Sequence, residues 1–170
     1  RRVNVRKDHP AFYSFDVEHN GKILCTINLS VPGIHNIYNA MAAFTACTLA
    51  GLTPEEIKNG IETFGGAGRR FEIYGVVNGI TIADDYAHHP QEIAATLSAA
   101  KNYPHKKLWC VFQPHTYTRT KALLPEFAQA LKLADHVVLA DIYAARETDT
   151  LGISSQDLQA GIQELGTPCE

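Results

Sequence analysis

Three polar clusters carry the side chains of this sequence that are best able to do chemistry. They are Asp84-Asp85-Tyr86-Ala87-His88-His89, the run from Gln113 to Arg119, and the run from Asp141 to Glu147. Carboxylates can hold sugar hydroxyls or a cation, and histidine can contact phosphate or move a proton. A tyrosine ring offers a flat face to a base, and arginine presents a planar fork that suits a carboxylate. The three clusters are therefore candidates for a ligand-binding site.

Structural alternatives compete with each of these interpretations. Asp84 or Asp85 could simply cap the helix that follows, with the two histidines in solvent. Arg119 could belong to a surface ion pair, and Arg146 could pair with Glu147 or with solvent. A metal site built from the two aspartates and two histidines is a further alternative. Adjacent residues rarely all face one ion, and no HxxxH or CxxC spacing supports such a site.

Further candidates flank a glycine-rich segment. His35, Asn36 and Asn39 precede or open a helix, where asparagine usually caps and a lone histidine is usually structural. Arg69 and Arg70 follow Gly65-Gly66-Ala67-Gly68 and could bind phosphate or face solvent. This glycine run follows a helix and opens a strand, unlike a dinucleotide-binding loop. The sequence contains neither a GxxxxGK[ST] loop nor a Ser/His/Asp order typical of acyl-enzyme chemistry.

Residue patterns predict the elements that must position these clusters. Alternating apolar residues predict hairpins of 12–17 with 23–29 and of 71–77 with 80–84, each turning at Asn-Gly. Capping signals and apolar periodicity predict the helices. Their predicted ranges are 36–50, 54–64, 90–103, 121–133 and 155–165. Short apolar runs predict buried strands at 107–112 and 136–140.

The alternation of strands and helices predicts an α/β fold with a parallel sheet and covering helices. Ligands bind such sheets beyond the carboxyl ends of the strands. All three polar clusters fall at strand ends, which is the main reason to expect a site there.

Composition narrows the class of protein. The chain has 170 residues, 45% of them hydrophobic, which suffices for one ordinary core or one core plus part of another. The net charge of −3 and the absence of a basic stripe give no support for a nucleic-acid or membrane-surface partner. No apolar run approaches the roughly 20 residues that span a bilayer. The four cysteines match no metal-binding spacing and predict reduced thiols in a cytoplasmic protein.

Five motifs together resemble the Mur ligases of peptidoglycan synthesis. They are PGIHNIYNA at 32–40, GRRFE at 68–72, DDYAHHP at 84–90, FQPHTYTRT at 112–120 and DIYAARE at 141–147. The likeness covers nearly the whole chain, in the order of the family. The last two motifs are most similar to family members that join L-alanine to UDP-N-acetylmuramate.

Three other functions are compatible with the sequence. Murein peptide ligases, which recycle a tripeptide, typically have Glu-Pro-Arg-Ser where this chain has Gln113 to Thr116, and this difference favours the alanine-adding members. A folate-type glutamate ligase shares the architecture but would have a different carboxylate-binding loop. A non-catalytic nucleotide-binding α/β module would also fit the bare pattern.

The resemblance implies a domain organisation. Residues 1–66 would be the C-terminal part of the central ATPase domain, and residues 67–170 a Rossmann-like C-terminal domain truncated at its end. The glycine run at 65–68 would be the hinge between them. ATP and Mg²⁺ are implied, with the main magnesium ligands expected in a missing part of the central domain. Because residues 1–66 would lack most of their sheet, partial exposure of Ile27, Leu29 and helix 36–50 is expected.

The resemblance also implies roles for individual side chains. Residues implied to contact ATP are His35, Asn36, Asn39, Arg70, Asp85 and Tyr86. Residues implied to bind the muramoyl and amino-acid carboxyl groups are His88, His115, Arg119 and Arg146. Arg70 and His88 are the implied catalytic residues, and the implied substrates are UDP-N-acetylmuramate and L-alanine.

Overall fold

The chain forms two compact units in a computed structural model that describes residues 1–7, 12–148 and 151–170. The first unit comprises residues 1–86 and the second residues 87–170. This division concerns compactness alone, so the domain boundary predicted between residues 66 and 67 stays a prediction.

A three-stranded antiparallel sheet opens the first unit. Its strands are β1 (Arg2–Arg6), β2 (Ser14–His19) and β3 (Lys22–Asn28), in the order β1-β2-β3. The predicted hairpin of β2 and β3 is confirmed, and it turns at Asn20 and Gly21, which have φ values of 50° and 78°. Strand β1 is an addition to the predicted elements, because its five residues are too few for a clear alternation.

Two helices follow the sheet at the predicted places, α1 (His35–Leu49) and α2 (Pro54–Thr63). A capping box fixes the start of α2, as its sequence predicts. The Glu56 side chain accepts a hydrogen bond from the Thr53 amide at 2.9 Å, and the Glu56 amide donates to Thr53 Oγ1 at 3.4 Å. Local hydrogen bonds therefore mark the start of α2.

The core of the first unit lies between one face of this sheet and the two helices. Its buried residues are Phe15, Val17, Ile27, Leu29, Ile37, Ala40, Phe44 and Ile57. The expected exposure of Ile27 and Leu29 is wrong, since they are 0% and 7% exposed. Packing of α1 and α2 onto these strands accounts for the difference. The expectation holds for α1 itself, where Leu49 is 85% exposed.

A buried carboxylate organises the strands of the first unit. Asp16 is 8% exposed and accepts hydrogen bonds from Asn4 Nδ2 at 2.8 Å, Arg6 Nη2 at 2.9 Å and Thr26 Oγ1 at 2.8 Å. The hydrogen bonds from Arg6, Asn4 and Thr26 hold the pKa of Asp16 well below its usual range, against the opposing effect of desolvation. The ionised carboxylate thus ties together all three strands.

The second predicted hairpin lies at the end of the first unit. It consists of β4 (Glu72–Val77) and β5 (Ile80–Asp84), joined by Asn78 and Gly79 at φ values of 51° and 80°. Positive φ at both turn residues matches the right-handed twist of the strands. Its exposed large side chains are Ile73, Tyr74, Val76, Val77, Ile80 and Ile82.

The second unit is built on a parallel pair of strands, β6 (Trp109–Phe112) and β7 (His136–Leu139). Their register runs from Trp109 opposite His136 to Phe112 opposite Leu139. An isolated parallel bridge joins Val137 to Cys169 on the far side of β7. The predicted parallel arrangement is therefore confirmed.

Four helices accompany this pair, α3 (Pro90–Ala100), α4 (Tyr117–Ala122), α5 (Leu124–Leu131) and α6 (Ser155–Glu164). The prediction of one helix over 121–133 is wrong, because Leu123 leaves the helical region at φ −121° and ψ 24°. Pro125, near the start of α5, lacks the amide hydrogen that would continue a single ladder. Among the described residues, no helix is long and apolar enough to cross a membrane.

The helices of the second unit cover one face of the strand pair. The fully buried core residues are Phe127, Leu131, Val137, Leu158 and Ile162. On the other face Trp109 and Val111 are exposed, and the Trp109 ring stacks on His136 with centroids 4.0 Å apart. The buried face thus anchors the strands whose carboxyl ends carry two of the polar clusters.

Replacing Asp16 by Asn should reduce the acid sensitivity of the first unit. A carboxyl group whose folded pKa is depressed stabilises the fold above its unfolded pKa, and this stabilisation is lost as pH falls below about 4. Wild-type β2 and β3 amides should lose hydrogen-exchange protection as the pH falls from about 4 to about 2. Asp16→Asn should be less protected at pH 7 and change less with pH. Exposed Glu55→Gln serves as the control, and an equal pH response in Asp16→Asn and wild type would contradict the assignment.

Candidate functional site

Loops from the carboxyl ends of β6 and β7 lie side by side in the second unit. Their pairing continues beyond the strands, with the Ala140 amide donating to Phe112 O at 3.0 Å and the Tyr143 amide to Pro114 O at 2.8 Å. His115 forms a parallel bridge with Tyr143. The second and third polar clusters therefore meet at the edge where the sequence predicts a site.

Arg119 joins this edge to the loop before α3. Its Nη1 donates hydrogen bonds to His115 O at 3.0 Å and to His88 O at 3.4 Å. The rings of His88 and His115 lie edge to face with centroids 6.4 Å apart. Three of the four predicted substrate-binding residues are thus brought together. The two carbonyls fix the plane of the half-buried guanidinium, whose fork carries further N–H donors.

Two histidines precede α3, and a glutamate lies in its first turn. The His88 amide donates to Glu92 Oε2 at 3.0 Å, and His88 Nδ1 lies 3.7 Å from the same oxygen. His89 Nδ1 accepts from the Gln91 amide at 3.4 Å. The N-cap is therefore a histidine, and the alternative in which an aspartate caps this helix is wrong. The Glu92 carboxylate therefore lies beside the His88 ring.

A stacked pair holds the ring of His115. The His115 and Tyr143 rings are 5.4 Å apart and 19° from parallel. Because their backbones are already bridged, the stack limits the orientations that the imidazole can adopt. His115 is partly buried and Tyr143 is exposed, so the pair forms part of the accessible surface of this edge.

Glu147 connects the third cluster to the second. Its Oε1 accepts hydrogen bonds from the Thr116 hydroxyl at 2.5 Å and from the Thr118 hydroxyl, and its Oε2 accepts from the Thr118 amide at 2.9 Å. The threonine hydroxyls, Thr116 first, and then the Thr118 amide lower the pKa of Glu147 to about 2. The alternative of a Glu147–Arg146 pair is therefore wrong. Arg146 is exposed, and the structure gives it no hydrogen bond to the described residues.

In the first unit, a cation lies behind the predicted base-stacking residue. Arg69 Nε donates to Asp84 Oδ2 at 3.0 Å, and the Tyr74 hydroxyl donates to the same oxygen at 3.2 Å. The Arg69 guanidinium carbon sits 4.8 Å from the centre of the Tyr86 ring. This cation–π contact orients a ring that remains exposed. The interpretation of Arg69 as a merely solvated side chain is therefore wrong.

Arg70 and Asp85 both act electrostatically on His35 within the first unit. The pKa of His35 is lowered, first by desolvation of its ring and also by the positive charge of Arg70, while the carboxylate of Asp85 opposes this shift. Asp85 Oδ2 also accepts a hydrogen bond from the Phe71 amide at 2.8 Å. The charges of two predicted ATP-contacting residues therefore lie close enough to His35 to affect its pKa.

The two asparagines of α1 form a linked pair. Asn39 Nδ2 donates to Asn36 Oδ1 at 2.9 Å, and Asn36 Nδ2 donates to Pro32 O at 2.7 Å. The N-cap of α1 is Ile34, with no side-chain capping bond. The helix-capping alternative for these asparagines is therefore wrong. Their amides are instead held at the start of the helix by each other and by the preceding turn.

The orienting roles of five residues were not predicted from the sequence, namely those of Arg69, Tyr74, Asp84, Tyr143 and Glu147. A partial signal existed for Glu147, since Thr116 and Thr118 offer two hydroxyls at a helix start. The remaining contacts join residues far apart in the chain. Among the residues that the structure describes, no three histidine, cysteine, aspartate or glutamate side chains cluster as metal ligands would.

Comparison with known proteins adds an independent line of evidence. Residues 69–170 match the family model described as Mur ligase, glutamate ligase domain. A UDP-N-acetylmuramate–L-alanine ligase of Lachnospira eligens is 59% identical over 150 residues, which is 88% of this chain and 33% of that protein. The chain therefore spans about a third of the length of this curated relative.

Solved structures agree with this match. The UDP-N-acetylmuramate–alanine ligase of Thermotoga maritima superposes with a TM-score of 0.76 at 32% identity, covering 95% of this chain and 34% of that one. A murein peptide ligase of Psychrobacter arcticus gives a TM-score of 0.56 at 28% identity, covering 79% and 29%. Because the family model matches more than half of its length, this chain belongs to the Mur ligase family.

Proposed function

We propose that this chain is part of an ATP-dependent ligase that joins L-alanine to UDP-N-acetylmuramate, a step of peptidoglycan precursor synthesis. The observation that carries the proposal is the meeting of His88 and His115 at the Arg119 guanidinium. The names of the L. eligens and T. maritima proteins support the choice of substrates.

The proposed reaction has two steps. A carboxylate oxygen of UDP-N-acetylmuramate attacks the γ-phosphorus of ATP, and ADP leaves. The amine of L-alanine then attacks the acyl carbon of the resulting acyl phosphate, inorganic phosphate leaves, and the amine loses a proton. Anionic reactants must meet in both steps, so cations and N–H groups are required to offset their repulsion.

The edge of the second unit supplies groups for the amino-acid half of this reaction. The fork of Arg119 suits the L-alanine carboxylate, because its plane is already fixed by two carbonyls. His115 lies beside it, and His88 is proposed to orient the amine or to accept its proton. Exposed Arg146 is proposed to contact the muramoyl substrate.

The first unit supplies groups for ATP. Tyr86 has one face against Arg69 and an exposed ring, so adenine is proposed to lie on the other face. Asp85 is proposed to hold the ribose hydroxyls and Arg70 to contact a phosphate as a catalytic cation. The nearby residues proposed for further ATP contacts are His35, Asn36 and Asn39.

Three wider assignments belong to the same proposal. Mg²⁺ would accompany the ATP phosphates, with its main ligands supplied by residues outside this chain. The domain boundary would lie between residues 66 and 67, and Gly66, at φ 106°, gives the hinge a conformation that other residues rarely adopt. A cytoplasmic location is supported by four free cysteines and by nucleotide-linked substrates.

The rival functions have weaker support. The murein peptide ligase structure matches less of the chain at a lower TM-score than the alanine ligase structure. A non-catalytic nucleotide-binding module would not need the Arg119 arrangement, so the amino-acid dependence of Arg119 variants separates it from an enzyme.

Replacing Arg119 by Ala in a full-length ligase carrying this chain should raise KM for L-alanine about 10- to 100-fold, because a charge-assisted hydrogen-bonded pair is lost. KM for ATP should change far less. Lys121→Ala is the control, since it removes another cation from the same helix. Lys121 Nζ donates a hydrogen bond to Leu151 O at 2.8 Å. Equal effects of Arg119→Ala on both KM values would defeat the assignment.

The neighbourhood of His35, Arg70 and Asp85 can be tested in the chain itself. Asp85→Asn should lower the pKa of His35 further, because it removes a negative charge that stabilises the imidazolium. Arg70→Ala should raise it. Titration of the His35 ring by NMR measures both shifts, with Arg1→Ala as a control that should leave the ring unaffected. Shifts of the same sign in the two variants would contradict the arrangement.

The 170-residue chain by itself should show no ligase activity. Its relatives are about three times as long, and no GxxxxGK[ST] phosphate loop is present in its sequence. An assay for phosphate release and amide formation from ATP, L-alanine and UDP-N-acetylmuramate checks this. Product formation that depends on ATP and L-alanine would refute the expectation.

A further inference from the structure

Glu147 lies outside the residues that the proposed function assigns to ATP or substrate. Both of its carboxylate oxygens are engaged, one by two threonine hydroxyls and the other by a backbone amide. All three donors belong to Thr116 and Thr118, in the loop and first turn that carry His115 and Arg119. A side chain of the β7 loop therefore holds the loop that follows β6.

We propose that Glu147 is a positioning residue, which holds His115 and Arg119 in the geometry that receives the amino-acid substrate. This inference rests on the proposed function, because it assigns Glu147 to the same site. Glu147 contacts neither reacting group; it acts through the two residues that do.

The position of the donors explains how Glu147 would act. Thr116 directly follows His115, and Thr118 directly precedes Arg119 in the chain. The two hydroxyls and one amide therefore fix the backbone on both sides of the segment that separates the imidazole from the guanidinium. At the other end of the same loop, Tyr143 holds the His115 ring by stacking. The loop after β7 thus contacts the loop after β6 at two points, through Tyr143 and through Glu147.

Helix α4 needs such external support. It has six residues, and nucleation makes so short a helix unstable by itself. No side-chain hydrogen bond caps it from Thr116, its N-cap residue. Glu147 supplies an acceptor to the Thr118 amide and places a negative charge at the positive end of the helix. Without it, the first turn that carries Arg119 would lose its only described acceptor from a side chain.

Glutamine at position 147 should preserve this arrangement. Its carbonyl oxygen can accept from the Thr118 amide, while its NH₂ group donates to threonine hydroxyls that rotate to act as acceptors. Alanine can do neither. The pair Glu147→Gln and Glu147→Ala therefore separates loss of the contacts from loss of the charge.

Asp157 provides a matched control in the same unit. Its carboxylate accepts from the Ser154 amide at 2.8 Å and the Ser154 hydroxyl at 2.9 Å, and so supports the start of α6 by the same chemistry. No predicted site residue belongs to that helix or its cap. Asp157→Ala should therefore reproduce any general effect of removing a helix-start carboxylate.

The first measurement uses NMR spectra of the 170-residue chain and does not depend on ligase activity. Glu147→Ala should shift the His115 ring resonances and the Arg119 Nε–H resonance, because the ring stack and the guanidinium both move. Glu147→Gln and Asp157→Ala should leave both resonances near their wild-type positions. Unchanged His115 and Arg119 resonances in Glu147→Ala would overturn the proposal. If Glu147→Ala does not fold, Thr116→Val, which keeps the side-chain shape and removes one donor, takes its place.

The second measurement uses kinetics of a full-length ligase carrying these residues. Glu147→Ala should raise KM for L-alanine at least about tenfold, as expected when a binding group is misplaced, with a much smaller change in KM for ATP. Glu147→Gln should restore most of the loss, and Asp157→Ala should cause none. Equal losses in Glu147→Ala and Asp157→Ala would overturn the proposal. A wild-type enzyme that does not use L-alanine would instead refute the proposed function, with the NMR result unaffected.

Discussion

The second unit depends on one guanidinium nitrogen that satisfies two backbone carbonyls from different loops. Arg119 Nη1 donates hydrogen bonds to His88 O and His115 O, at 3.4 and 3.0 Å, where each loop leaves regular structure. Burying a backbone carbonyl without a hydrogen-bond donor costs free energy, and Arg119 supplies the donor here. A cation that supplies these hydrogen bonds also brings together the side chains of both loops, so the same contact orders the loops and the candidate site.

The parallel pairing of β6 and β7 makes this contact reproducible. Because the ladder continues through Tyr143 and Pro114, the loops leave the sheet in register. Stacking of His115 on Tyr143 and the hydrogen bonds to Glu147 then remove much of the remaining freedom. Side chains prepared in this way lose little entropy on binding, which is how a surface edge can hold a small, charged ligand such as an amino acid.

Local sequence signals predicted most elements and some of their ends. Asn-Gly turns located both hairpins, and the Thr53 capping box located α2, since these signals act between residues a few positions apart. The break at Leu123 escaped notice because apolar periodicity continues across it. The burial of Ile27 was not predicted, because it depends on two helices that come later in the chain and pack onto the sheet.

The sequence by itself determined the α/β order, the strand ends that carry polar clusters, and the residue types able to bind carboxylate and phosphate. These follow from short-range patterns and from the chemistry of individual side chains. Only the tertiary structure decided that His89 caps α3 and that Arg69 makes a cation–π contact with Tyr86. It also decided that Glu147 accepts hydrogen bonds from Thr116 and Thr118 and does not pair with Arg146. In each case several side chains could form the contact, and folding sets which of them lie close enough. The spacing of residues along the chain does not contain this information.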